Sequence, residues 1–278
     1  MNKTTMEKNN KLGEILSGMN RVIVAFSGGV DSTLVLKRAQ QELGEDNVLG
    51  VVVASELFRK EEFEGAVKLA EKMGVRVHQT EIKELEDANI VANTPESWYY
   101  SKKLLYSHLN GLAEEMGYDN VLDGMIMDDM DDFRPGLKAR TEAGARSVLQ
   151  EAGLYKQEVR ALTKELDIPV WNKPASCSLA SRIPYGIKLD KQKINQVDQA
   201  EKFITKLGFD MVRVRHHEDV ARIEVTSEEI TKLLEHREEI QLKLESLGFN
   251  YVSLDLRGYR TGSMNEVLPA EELESEVS

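Results

Sequence analysis

The sequence predicts an α/β fold in which a parallel sheet carries helices on both faces, joined to a smaller C-terminal α/β domain. Strand-like and helix-like segments alternate through the first half of the chain, as βαβ units require. The strand-like members, such as Arg21-Val22-Ile23-Val24-Ala25-Phe26, are nearly continuous apolar runs, which marks strands buried on both faces. Beyond Asp190 the texture changes to a helix and then to strictly alternating runs, the pattern of a half-buried antiparallel sheet. These shifts place a first domain at residues 1–170, a connecting loop at 171–190 and a second domain at 191–278.

Taken in order, residues up to about Asn20 read as a polar lead-in with one short helix. The first strand, 21–26, feeds a helix that begins near Thr33 and ends near Leu43-Gly44, where glycine can close it. Residues 47–54 read as a second buried strand, 60–73 as an amphipathic helix closed by Gly74, and 75–82 as a third strand. Pro95 fits the first turn of a long helix that reaches Met116, with Gly117 beyond its end. Residues 118–122 supply another strand. The segment 172–186 is small, polar and bounded by prolines, a loop rather than an element. An amphipathic helix follows from Asp190 to Leu207-Gly208. Residues 211–215 and 221–225 form an antiparallel hairpin about His216-His217-Glu218-Asp219, with both histidines read as turn residues. A helix to Leu247-Gly248 and a strand over 251–256 complete the domain, and the last dozen residues are acidic.

Composition narrows the class. A chain of 278 residues makes one large domain with an appendage, or two domains. Its 41% hydrophobic content supports a real core, and its 30% charged content is mixed in sign, as on a solvated surface. A net charge of −12 argues against an extended nucleic-acid surface. No apolar run approaches membrane-spanning length and the N-terminus lacks a secretory apolar region, so a cytoplasmic protein without membrane or nucleic-acid partners is expected. The single cysteine, Cys177, excludes an internal disulfide, a multi-thiolate zinc site or an iron–sulfur cluster within one chain.

Between the first strand and its helix, Ser27-Gly28-Gly29-Val30-Asp31-Ser32 is shaped to hold phosphate. Adjacent glycines let the backbone bring its N–H groups up to an anion, and the helix N-terminus adds partial positive charge. Ser27 and Ser32 can donate hydroxyl bonds, and Asp31 can hold Mg²⁺. An ordinary strand-to-helix turn capped by Asp or Ser is the other reading. Ligands of parallel sheets gather at the carboxyl ends of the strands. Ser55-Glu56 and Asp123-Gly124-Met125 fall there with the loop, which makes Ser55, Gly124 and Met125 nucleotide-binding candidates.

Cys177 is flanked by three serines with Lys173 and Arg182 nearby, an electropositive setting of the kind that exposes a thiolate; a small buried hydrophobe is the alternative. In the hairpin, period two puts Arg213 and Arg215 on one face of the first strand and Arg222 with Glu224 on one face of its partner. If the faces coincide, three guanidiniums meet one carboxylate, which suits a phosphorylated ligand or, alternatively, a solvent face laced with ion pairs. Arg257-Gly258-Tyr259-Arg260 adds a basic turn. Asp128 and Asp129 open an acidic run to Asp132, where carboxylates can bind Mg²⁺ and Arg134 or Lys138 can neutralise phosphate; a solvated acidic loop serves equally. Trp98-Tyr99-Tyr100 either stacks on a heterocycle or belongs to the core.

The loop is neither the Walker loop nor the dinucleotide glycine motif; it resembles the SGGxDS loop of the ATP pyrophosphatase (PP-loop, adenine nucleotide alpha hydrolase-like) superfamily. Further segments extend the likeness nearly end to end: VAFSGGVDSTLVLK, NTPESWYYSKKL, LDGM, RPGLKARTEAGARS, WNKPASCSLASRIPYG, VRVRHH and LDLRGYRTG resemble the LarE family. That family comprises ATP-dependent sulfur transferases that make the nickel-pincer nucleotide cofactor of lactate racemase.

The resemblance implies a pyridinium biscarboxylate mononucleotide substrate, ATP and Mg²⁺. ATP adenylates a carboxylate, Cys177 attacks the acyl adenylate, and elimination leaves dehydroalanine while sulfur departs with the product. Family members with three cysteines use a cluster instead, so the lone Cys177 places this chain in the sacrificial branch. The resemblance also implies that Gly28, Gly29, Asp31 and Ser32 cradle ATP, that Ser181, Arg182, Arg213 and Arg215 hold the substrate, and that Trp98 borders its pocket. Glu201 and Glu224 are implied as metal ligands or as the base for elimination. A homo-oligomer, trimer or hexamer, is expected, alongside other enzymes of the cofactor's biosynthesis. The rivals are an amidating synthetase of the same superfamily, a persulfide-carrying or tRNA thiolase, and a nucleotide-sensing module without chemistry.

Overall fold

A computed structural model describes residues 3–130, 136–173 and 177–269. In chain order its helices and strands are α1 (Lys3–Ser17), β1 (Val22–Ala25), α2 (Val30–Leu43), β2 (Val48–Ala54), α3 (Lys60–Lys72), β3 (Val77–Glu81), α4 (Ala88–Val91), α5 (Ser97–Met116), β4 (Asn120–Leu122), α6 (Gly136–Ala143), α7 (Val148–Glu151), α8 (Lys156–Glu165), α9 (Lys191–Lys206), β5 (Val212–His217), β6 (Val220–Val225), α10 (Ile230–Glu235), α11 (Arg237–Ser246) and β7 (Tyr251–Leu254). The chain divides into two units. Of the described residues, the first holds those up to Glu84 and 98–173; the second holds 85–97 and those from Cys177 to 269.

In the first unit the strands pair in the order β3-β2-β1-β4, all parallel, with Val22 opposite both Val48 and Asn120. Period two sends alternate side chains to opposite faces. Val22, Val24, Val48, Val52 and Leu122 join Leu12, Leu16, Leu34, Ala66, Val148 and Val159 from the helices on one face. Ile23, Leu49, Val51 and Val121 join Tyr106 and Leu109 of α5 and Ala139 of α6 on the other. Burial on both faces explains the continuously apolar strands, and each fully buried Val or Leu contributes about 1.5–3 kcal/mol. With β2 on one side of β1 and β4 on the other, the loop after β1 sits where the strand order reverses, the usual ligand position.

Three local expectations are corrected. The first helix has 15 residues, because Thr5, Leu12, Gly13 and Leu16 form a buried stripe that docks it. Pro95 precedes α5 rather than entering its first turn; Asn93, at φ 51°, turns the chain just before it. Residues 136–165 supply three helices that no sequence signal had marked.

In the second unit β5 and β6 are antiparallel and β7 lies parallel to β6. His216 and His217 belong to β5 rather than to the turn, which is left to Glu218 and Asp219, with Glu218 at φ 54°. His216 is buried beside Gln196, 3.2 Å from Nε2 to Oε1, so packing draws it into the strand. Val212, Val214, Ala221, Ile223 and Val225 pack with Ala200 and Ile204 of α9 and with Ile240 and Leu244 of α11. The single helix expected before Leu247 is broken at His236, where α10 ends and α11 starts. No described helix is long and apolar enough to cross a membrane.

Candidate active site

The phosphate loop is built by its own short side chains. Gly28, at φ 68°, takes a conformation L-residues rarely adopt, and a Cβ there would meet Ala66 Cα at 2.9 Å. Ser27 and Ser32 lie 3.1 Å apart, hydroxyl to hydroxyl, and the Gly29 N–H donates to Ser27 Oγ at 3.3 Å. Gly29 is the N-cap of α2, and its carbonyl accepts from Thr33 Oγ1 at 2.6 Å. The serines thus shape the loop, and the first amides of α2 supply donors of the kind that bind anions. Gly124, just after β4, packs against this turn: a Cβ at Gly124 would fall 2.7 Å from Ser32 N. Met125 follows, its amide donating to Asp123 Oδ1 at 3.0 Å.

Asp31 lies in the first turn of α2, and Lys156 Nζ reaches both its oxygens at 2.9 and 2.6 Å. Burial raises the Asp31 pKa above its ordinary 3.8, Lys156 pulls it back, and the nearby Asp129 carboxylate raises it again. Asp128 accepts the Lys156 amide at 2.8 Å and Asp129 accepts the Ile126 amide at 2.8 Å. The rest of the acidic run, 131–135 with Arg134, lies outside the described residues. Lys173 donates to Gly28 O at 3.0 Å, so its ammonium lies on the phosphate loop. Ser55 donates to Glu84, a buried carboxylate whose pKa burial raises, and Ser101 donates to it as well. Trp98 is half-buried in the first turn of α5.

The second unit gathers the cysteine and the arginines. Cys177 is exposed. Immediately after it, Ser178 caps a 3-10 turn at Leu179–Arg182, accepting the Ala180 amide at 3.2 Å. Arg182 is 3% exposed and donates from Nη1 to Ser181 Oγ at 2.8 Å, Ser178 O at 3.0 Å and Cys177 O at 3.4 Å. Its Nε and Nη2 meet the two oxygens of Glu201 at 2.9 and 3.1 Å. Glu201 is buried because it lies on the apolar stripe of α9 with Ile194, Val197 and Ile204, and it also accepts the Val214 amide at 2.9 Å.

The faces of the hairpin do coincide, with Arg213 opposite Glu224 and Arg215 opposite Arg222. Arg215 donates to Ser181 O and to Ser263 Oγ, each at 2.8 Å, while Arg222 Nη2 joins it on Glu224 at 2.9 Å. Arg213, expected as a third guanidinium on Glu224, is half-buried and instead donates to Val212 O at 2.8 Å with its guanidinium over the Tyr259 ring at 5.3 Å. Cys177, Ser181, Arg182, Glu201, Arg215 and Glu224 therefore form one bonded network. Among the described residues no three His, Cys, Asp or Glu side chains are grouped to hold a metal ion.

Three contributors stand where no local sequence signal puts them, Lys173 being marked in sequence only as a neighbour of Cys177. Lys156 and Lys173 reach the phosphate loop from far along the chain. Asn93 Nδ2 donates to the carbonyls of Ile183, Pro184 and Ile187 at 3.1, 2.9 and 3.0 Å, fixing the segment that follows Arg182. Only the left-handed tolerance of Asn hints at that position.

A family model described as NAD synthase matches residues 9–103, the segment that contains the phosphate loop. The ammonia-dependent NAD(+) synthetase of Pyrococcus horikoshii is 28% identical over 57% of this chain and 63% of its own length. A Synechocystis protein is 38% identical over 92% of this chain and 96% of its own. The pyridinium-3,5-bisthiocarboxylic acid mononucleotide synthase of Lactiplantibacillus plantarum is 53% identical over 97% of this chain and 98% of its own. Similarity of that extent, spanning the phosphate loop and the cysteine–arginine network alike, shows that the chain belongs to the pyridinium-3,5-bisthiocarboxylic acid mononucleotide synthase family.

Proposed function

We propose that the chain is an ATP-dependent sulfur transferase. It converts a carboxylate of pyridinium-3,5-biscarboxylate mononucleotide to a thiocarboxylate with the sulfur of Cys177, in biosynthesis of the nickel-pincer nucleotide cofactor. The observation that carries this reading is an exposed Cys177 on the same network as Ser181, Arg182 and Arg215. The name of the Lactiplantibacillus plantarum relative supports the substrate class.

ATP is a substrate here, held by the amides of Gly28, Gly29 and the first turn of α2. Asp31 and Asp129 suit Mg²⁺: their carboxylates stand close enough to repel one another, and a divalent ion relieves that repulsion. Mg²⁺, when bound, screens the phosphates from the incoming carboxylate. Lys156 adds positive charge beside Asp31, and Ser55, Gly124 and Met125 line the nucleotide crevice with Trp98 nearby. The substrate carboxylate displaces pyrophosphate from ATP, and the Cys177 thiolate then attacks the acyl adenylate and releases AMP.

Arg213, Arg215 and Ser181 receive the substrate phosphate. Removal of the Cys177 Cα proton expels the thiocarboxylate and leaves dehydroalanine, so each chain reacts once. Glu201 and Glu224 already bond guanidinium groups, which suits them to anchoring Arg182 and Arg215; service as a base or a metal ligand requires release of those bonds. Assembly into a homo-oligomer, trimer or hexamer, follows from the family resemblance, and Leu242, Tyr251 and Leu256 of the second unit are exposed apolar side chains that a subunit contact can cover. A cytoplasmic site of action, beside the enzymes that supply and complete the cofactor, fits this chemistry.

Intact-protein mass spectrometry after incubation with ATP, Mg²⁺ and the pyridinium biscarboxylate mononucleotide tests the reading. The expected product is a chain lighter by the mass of H₂S, with the change at Cys177. An unchanged mass with continuing pyrophosphate release moves the protein to a synthetase or persulfide mechanism.

A further inference from the structure

We propose that Arg182 is a catalytic residue for the step that releases sulfur from Cys177. Its guanidinium stabilises the negative charge that develops on the Cys177 backbone carbonyl when the Cα proton is removed. The inference rests on Cys177 as sulfur donor and adds the group that makes its elimination feasible.

In the thioester, Cys177 bears a Cα–H bond and a Cβ–S bond to the acylated sulfur. Elimination moves the Cα proton to a base, and the electron pair left behind delocalises into the Cys177 carbonyl, placing charge on its oxygen. That pair then forms the Cα=Cβ bond, the Cβ–S bond breaks, and sulfur leaves with the bonding pair as a thiocarboxylate. The products are dehydroalanine, the thiocarboxylate and a protonated base, with nothing oxidised or reduced overall. A backbone Cα–H is a very weak acid, so the barrier lies in forming the carbanion. Donors aimed at the oxygen that gains charge lower that barrier most when they are fixed beforehand.

Arg182 meets that requirement. Nη1, whose two hydrogens also serve Ser181 Oγ and Ser178 O, stands 3.4 Å from Cys177 O, a long shared bond at rest that strengthens as charge builds on the oxygen. The guanidinium cannot swing away, because it is buried and Glu201 grips Nε and Nη2. Glu201 is held in turn by the Val214 amide, and Ser181, on the same Nη1, is held through its carbonyl by Arg215. A buried ion pair is a weak contributor to stability compared with apolar packing, and the hydrogen bonds to Ser178 O and Ser181 Oγ order the turn without needing a full charge. The carbonyl of Cys177 supplies a reason for one.

The test is a quenched single-turnover time course with ATP, Mg²⁺ and pyridinium biscarboxylate mononucleotide, read by intact mass. Mass separates unreacted chain, the heavier Cys177 thioester and the lighter dehydroalanine form. Two variants are compared with wild type: Arg182→Lys, and Arg182→Met combined with Glu201→Gln, which leaves no unpaired carboxylate buried. Both are expected to accumulate the thioester, because elimination slows relative to thioester formation by about 100- to 1000-fold, as for loss of an oxyanion donor. Elimination at the wild-type rate, or equal slowing of both steps, overturns the assignment. If the double variant does not fold, Arg182→Lys decides alone. Wild-type protein that retains its Cys177 sulfur overturns the sulfur-donor reading and this proposal together. Wild-type protein that loses sulfur, beside variants that lose it as fast, overturns the role of Arg182 only.

Discussion

Arg215 and Glu224 grip each other across the β5–β6 hairpin through two parallel bonds, Nε to Oε1 at 3.0 Å and Nη2 to Oε2 at 2.7 Å. Glu224 is 0% exposed and Arg215 8%, so the pair lies beneath the surface rather than on it. Arg222 shares the same carboxylate. Removing that carboxylate leaves a buried guanidinium without its counter-charge.

Glu224→Ala is therefore expected to lower unfolding free energy by about 3–5 kcal/mol, the cost of breaking a buried pair from one side. Urea denaturation measures this. A loss below about 1 kcal/mol is what an exposed ion pair gives, and would show that the pair is solvated.

In the proposed reaction Asp31 holds Mg²⁺, and it must be ionised to do so. Burial raises its pKa above the ordinary 3.8 while Lys156 lowers it. ATP-dependent pyrophosphate release should accordingly fall on acidification at a higher pH than an ordinary aspartate produces. Lys156→Met removes a lowering influence, so the acid limb of the single-turnover rate of pyrophosphate release should shift to still higher pH. An unmoved limb in that variant argues against Asp31 as its source.

Gly124→Ala separates crowding from backbone strain, since Gly124 has no positive φ whereas Gly28 does. The added Cβ would sit 2.7 Å from Ser32 N and 3.1 Å from Ser32 Cα, so the phosphate loop must shift. Overpacking of this kind costs about 1–3 kcal/mol. ATP affinity measured by titration calorimetry should fall by more than about tenfold, which corresponds to 1.4 kcal/mol. Unchanged affinity means that the loop binds ATP in a different conformation.

Asn93→Asp keeps the left-handed backbone tolerance but removes the amide that serves three carbonyls. A loss of about 1–3 kcal/mol is expected for leaving buried acceptors unpaired. Limited proteolysis should then cut faster within 183–189, the segment Asn93 holds beyond the cysteine. Unaltered cleavage there shows that other contacts are sufficient.

What was legible in sequence was local. The phosphate loop could be read because its glycines, serines and Asp31 are contiguous and sit between a strand and a helix. The coincidence of Arg213, Arg215 and Glu224 could be anticipated because strand periodicity is two and a short hairpin limits the register. The two histidines were misplaced because length alone does not show where a strand stops; the contact of His216 with Gln196 extends β5 past the alternating run.

The sequence by itself determined the parallel α/β class, the phosphate loop and the candidacy of Cys177, each set by neighbours along the chain. Only the tertiary structure decided what those residues touch. Lys156 meets Asp31 from 125 positions away, and Glu201 meets Arg182 because α9 turns its apolar stripe toward the cysteine segment. Side-chain pairing of this kind follows from how elements pack, and packing depends on shape and burial summed over many distant residues. No spacing rule along the chain contains that information.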